Sequence, residues 1–220
     1  MNAPAARQLL ALLDDTSRAR AVIEMSSMLA RQLQRPLELV YVESTPALVA
    51  AALPFTRVLA PGAGEWLPFA PPDVERGYRA QALRLRELAQ TISLRQSVSW
   101  SLRVVRGALE QVAVELRAQS DLLLVGGASP SMPLATPRAA QRRGGPLVVA
   151  LVDDTAAGER AIRTAEQVAH ALGGAVQVRR CTDGADVASL PATCDLVVLA
   201  QGLADTARVA RLRCPALLVA

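Results

Sequence analysis

Few residues in this 220-residue chain have types and spacing suited to chemistry. Two triplets, Asp14-Asp15-Thr16 and Asp153-Asp154-Thr155, each follow an apolar run and precede a helical pattern. A carboxylate placed there suits a helix N-terminus, whose dipole and open N–H groups favour negative charge by about 0.3–1 kcal/mol. Gly126-Gly127 closes another apolar run. The three cysteines, Cys181, Cys194 and Cys214, share no C-x-x-C spacing. That scatter predicts reduced thiols rather than disulfides or zinc, with Cys214, ahead of Pro215, as inert core. His170, the single histidine, shortly precedes Gly173-Gly174 and reads as a last-turn helix residue rather than a general base. Arg138, Arg142 and Arg143 ahead of Gly144-Gly145 could grip an anion, but they read as an exposed linker. With no G-x-S-x-G elbow, H-E-x-x-H or Walker loop, no catalytic residue is assigned.

Composition limits the alternatives further. All 24 basic residues are arginine, so lysine chemistry is excluded. The net charge of +4 is dispersed along helix faces rather than clustered, which argues against nucleic acid, as does an aromatic content of 3%. The stretch 46–72 is apolar but is broken by Arg57, Glu65 and repeated Pro and Gly, so it is not a membrane span. It reads as a Pro-rich insertion packed over its own domain. A peripheral membrane or partner contact through Leu53, Phe55, Leu59, Trp66, Leu67 and Phe69 is the alternative. The N-terminus carries no basic start followed by an apolar core, so a cytoplasmic protein is expected.

These residues must be positioned by alternating strands and helices. Gln8–Leu13 has strand length, and Thr16 or Ser17 can cap a helix whose apolar positions run from Val22 to Leu33. Pro36 stops it, and Leu37–Val42 is the next strand. After the insertion, Asp73–Leu94 predicts a helix, Val98–Val105 a strand, Leu109–Leu116 a helix stripe and Asp121–Val125 a short strand. Such alternation indicates an α/β fold with a doubly wound parallel sheet. The pattern then recurs. Shifted by 139 positions, LALLDDT (Leu10–Thr16) meets VALVDDT (Val149–Thr155); shifted by 74, SDLLLVGG (Ser120–Gly127) meets CDLVVLAQ (Cys194–Gln201). The expectation is two tandem units, 1–144 with the insertion and 145–220 truncated, that bury their sheets against each other, the Cys214 strand lying at the edge of the second.

In combination, the strand ending at Asp14, the Thr/Ser-capped helix, RGALEQVAVELRAQSDLLLVGG (Arg106–Gly127) and the closing CPALLVA resemble the universal stress protein family. The resemblance implies a Rossmann-like fold, with the tandem units acting as an intramolecular counterpart of the family's dimer; a homodimer is a further expectation. If a nucleotide is bound, the implied contacts are Asp14, Asp15, Thr16, Val42, Gly126 and Gly127. The family's ATP loop, G-x2-G-x9-G-[S/T], is broken here. Ser129 takes the second Gly position, Ala139-Ala140 the last pair, and Pro130, Pro133 and Pro137 remove backbone donors. In the second unit Ala200 replaces the first Gly. No cofactor is therefore expected, ATP being the alternative. The implied role is a non-enzymatic stress-response or regulatory protein acting through a protein partner. The alternatives are an adenine-nucleotide-binding regulator or weak ATPase, and an accessory domain docking on a membrane transporter or signalling protein through 46–72.

Overall fold

The computed structural model describes residues 8–14, 19–59, 64–126, 145–181, 190, 194–200, 202–203, 208–209, 212 and 214–220. The Thr16 or Ser17 cap, the loop 127–144 with its arginines and most of the 183–190 connection lie outside these.

The first half alternates as its apolar runs dictate. Strand β1 (Leu9–Leu13) is buried throughout, and helix α1 (Ala19–Gln32) turns Val22, Ile23, Met25 and Leu29 inward. Gln34 then takes a left-handed conformation (φ 51°) ahead of Pro36, which releases the chain into β2 (Leu37–Ser44). The insertion is not the plain loop expected. Ser44 Oγ accepts from the Ala47 N–H (3.4 Å) and Pro46 sits in the first turn, so helix α2 (Thr45–Ala51) forms at once. A hairpin of β3 (Arg57–Leu59) and β4 (Trp66–Pro68) follows, tied off where the Phe69 N–H donates to the Thr56 carbonyl (3.2 Å). Helix α3 (Pro71–Gln96) begins two residues earlier than expected because prolines are tolerated in a first turn, and the Asp73 carboxylate accepts the Ala70 N–H (3.2 Å). Strand β5 (Trp100–Gly107), helix α4 (Leu109–Gln119) and strand β6 (Leu122–Val125) complete this half.

The second half holds β7 (Leu147–Val152), helix α5 (Ala156–Leu172), β8 (Ala175–Arg180), β9 (Leu196–Ala200) and β10 (Ala216–Val219). Left-handed Gly173 (φ 62°) ends α5. Gly145, also at positive φ, crosses so near that turn that a Cβ on it would lie 2.0 Å from the Gly173 carbonyl oxygen.

All the strands except the β3–β4 pair form one sheet of eight, in the order β5-β2-β1-β6-β10-β9-β7-β8. The pairing is parallel except between β6 and β10, which run antiparallel with Leu124 opposite Leu217. The two halves therefore join edge to edge. They do not bury sheet faces against each other, and the strand after Cys214 lies inside the common sheet. Physically, β6 and β10 each present an apolar ladder of open N–H and C=O groups, and pairing the two ladders satisfies both. Register also repeats across the halves. Leu9 faces Leu37 and Leu122, while Val148 faces Val176 and Leu196.

Alternation along the strands splits the core in two. Leu9, Ala11, Leu13, Val148 and Ala150 pack under the α1, α3 and α5 side, whereas Leu10, Leu12, Val149 and Leu151 face α4 and the segment holding Val209 and Leu212. The sheet is thus wound on both faces, as expected for the α/β class.

Candidate functional site

Open α/β sheets bind ligands beyond the carboxyl ends of their strands, where the strand order turns back. A cleft of about 400 Å³ lies beyond the carboxyl ends of β1, β2 and β5, lined by Asp14, Val42, Ser44, Pro46, Ala108, Leu109 and Glu110. Asp14 is half-buried at the end of β1, and Val42 is buried near the end of β2. The next wall is built by the turn into α2: Tyr78 donates its hydroxyl to the Ser44 carbonyl (3.1 Å) and packs edge-on against Tyr41, ring centres 6.4 Å apart. The last wall is the start of α4. Ala108 there offers no side-chain cap, and Glu110 places a carboxylate in the first turn.

Of the residues expected to contact a nucleotide, Asp14 and Val42 meet in this cleft. Gly126 follows β6, half-buried and beside Val22 of α1, outside the cleft lining. Asp15, Thr16 and Gly127 lie outside the described residues. Ser44, Pro46, Ala108, Leu109 and Glu110 escaped the sequence reading. Their signal was positional, since each follows the end of a predicted strand on the same side of the sheet.

The cleft's described lining offers two carboxylates and no guanidinium. Arg106, two residues ahead of Ala108, turns to Glu43 (3.1 Å) and Glu75 (3.8 Å).

The second triplet begins a helix. Asp153 Oδ1 accepts from the Thr155 hydroxyl (2.5 Å) and N–H (3.3 Å), and Thr155 Oγ1 in turn accepts from the Gly158 N–H (3.3 Å). Asp154 pairs with Arg180 at 2.8 Å, both well exposed. Gly158 lets the first turn of α5 press on the strand end, because a Cβ there would lie 2.1 Å from the Asp153 carbonyl oxygen. These contacts start a helix and leave the Asp153 carboxylate occupied by its own turn.

Solved structures similar to this chain include three universal stress proteins. One, from Archaeoglobus fulgidus, is 10% identical, with 96% of this chain and 97% of that one covered and a TM-score of 0.48. A protein of the universal stress protein family from Burkholderia pseudomallei is 20% identical, covering 80% of this chain and 98% of that one, TM-score 0.34. A universal stress protein in complex with cAMP is 12% identical over the same shares, TM-score 0.31. No family model and no curated protein matches. The α/β class and the cleft stand on strand order and geometry alone.

Away from the cleft, the insertion is notable for what it leaves uncovered. Phe55 is 91% exposed, Trp66 62% and Leu53 58%, with Leu59 and Leu67 also exposed. Every residue of β3 and β4 faces solvent. No helix among the described residues is long and apolar enough to cross a membrane.

Proposed function

We propose that this chain is a non-catalytic regulatory protein of the universal stress type that acts by docking a protein partner on the α2–hairpin insertion. The observation that carries this reading is the insertion itself. An isolated two-stranded hairpin is marginal in water, and large apolar side chains left uncovered together mark interaction surfaces. Phe55, Leu59, Trp66 and Leu67 supply such side chains on one short segment. The cleft points the same way. A triphosphate brought to Asp14 would meet the Asp14 and Glu110 carboxylates, and the described lining does not fit that charge.

Chemical cross-linking in cells with the intact chain and with a Phe55→Ser/Trp66→Ser variant tests the reading. A partner captured by the first and lost by the second supports it, and equal capture by both contradicts it.

A second reading, an adenine-nucleotide-binding regulator, is favoured by one observation: Asp14 and Val42 do converge in a cleft large enough for a nucleoside. Mass spectrometry of gently purified protein would then reveal an adenine nucleotide that Asp14→Ala no longer retains.

A further inference from the structure

Cys194 and Cys214 are twenty positions apart in sequence and side by side in the fold. Each lies two residues ahead of its strand, Cys194 before β9 and Cys214 before β10. Those strands are parallel neighbours with Val197 opposite Ala216, and Ala216 in turn faces Val125 at the carboxyl end of β6, so both cysteines sit at the same end of the sheet as the cleft. A backbone hydrogen bond from the Val197 N–H to the Pro215 carbonyl (3.0 Å) fastens the strands just past them. Carried back from Val197 and Ala216, the register sets Cys214 beside Asp195 and one residue from Cys194. With strands about 4.8 Å apart and a rise of about 3.3 Å per residue, that diagonal is about 6 Å, within the roughly 4.4–6.8 Å between Cα atoms that a disulfide spans. Both side chains join the apolar cluster on the α4 side, Cys214 buried and Cys194 half-buried. Cys181 belongs to the same cluster but follows β8, at the opposite ends of the strands.

We propose that Cys194 and Cys214 form a dithiol that a hydroperoxide converts to an intramolecular disulfide, fastening β10, the strand that joins the two halves, to β9. The chemistry needs a nucleophilic sulfur with a second thiol beside it. The interaction with Cys214 raises the pKa of Cys194, whose thiol donates to the Leu196 carbonyl (3.2 Å), and lowers that of Cys214, so that Cys194 keeps its proton while Cys214 more readily becomes thiolate. The Cys214 thiolate attacks the peroxide oxygen, giving a sulfenic acid and releasing hydroxide. The Cys194 sulfur then displaces that hydroxyl group as the S–S bond forms, and its proton leaves with the oxygen as water. In sum, two thiols and one hydrogen peroxide give one disulfide and two waters.

The test treats the reduced full chain with stoichiometric hydrogen peroxide. The remaining thiols are alkylated after unfolding, and intact mass and tryptic peptides are read. The expected result is one alkylated cysteine, Cys181, with the peptides holding Cys194 and Cys214 cross-linked; Cys181→Ser should keep that bridge. In Cys194→Ser the reaction should stop at a sulfenic acid on Cys214, which dimedone traps. Three alkylated cysteines after oxidation, a bridge that includes Cys181, or a cross-link between two chains would each overturn the proposal.

Discussion

The smallest units that decide this protein's behaviour are the two Asp-Asp-Thr triplets, which stand at corresponding strand ends. Asp14 faces a cleft, whereas Asp153 is held by the Thr155 hydroxyl and N–H while Thr155 caps α5. Removing that cap oxygen leaves a first-turn N–H without its acceptor. Thr155→Ala should therefore destabilise the chain by about 1 kcal/mol in urea titration. Gly158→Ala should cost about 1–3 kcal/mol by the same measurement, because its Cβ meets backbone rather than a movable side chain. The triplets were visible in the sequence, but neither the closing of Thr155 on Asp153 nor the walls that stand opposite Asp14 were. One wall is raised by Ser44 and Pro46, the other by Ala108–Glu110, and the rest of the insertion, α3 and β5 separate their origins. The Cys194–Cys214 contact was hidden for the same reason, because it depends on which strands become neighbours.

Among the elements, the ones read most fully from sequence were those whose apolar period matched their burial. Val22, Ile23 and Leu29 face inward on α1, and Val112, Ala113 and Leu116 do so on α4. The insertion was harder. Its prolines and glycines suggested loop, yet Pro46 and Pro71 occupy the first helical turns that tolerate them, and a hairpin fits between. Because Phe55 and Trp66 cover little of their own domain, exchanging both for serine should leave stability within about 0.5 kcal/mol of the parent in urea titration. A loss of several kcal/mol would mean that they pack inward in solution and would undercut the docking surface.

At the scale of the whole molecule, the antiparallel β6–β10 seam makes one sheet of two similar halves. The seam is reinforced at its end, where the Ala220 N–H donates to the Asp121 carbonyl (2.9 Å) and the Ala220 carbonyl accepts from Arg160 Nε (2.7 Å). The repeated apolar runs foretold the strands and even their shared register. They could not foretell the seam, since the pairing of two equally apolar edges leaves no local mark in either. Leu217 is fully buried opposite Leu124. Leu217→Ala should cost about 2–5 kcal/mol. Unfolding should stay a single transition by circular dichroism and tryptophan fluorescence, as expected of halves sharing one sheet. Separate transitions would show that the halves fold independently.

The exposed insertion lies apart from a cleft whose described lining carries the Asp14 and Glu110 carboxylates. Any ligand that binds the folded chain raises its melting temperature by mass action, by the equivalent of about 2.7 kcal/mol when present at about a hundred times its dissociation constant. Thermal melting of the full chain with and without millimolar magnesium-ATP therefore decides between the two readings. Superimposable curves are expected, and a dose-dependent rise in melting temperature that Asp14→Ala removes would contradict the account.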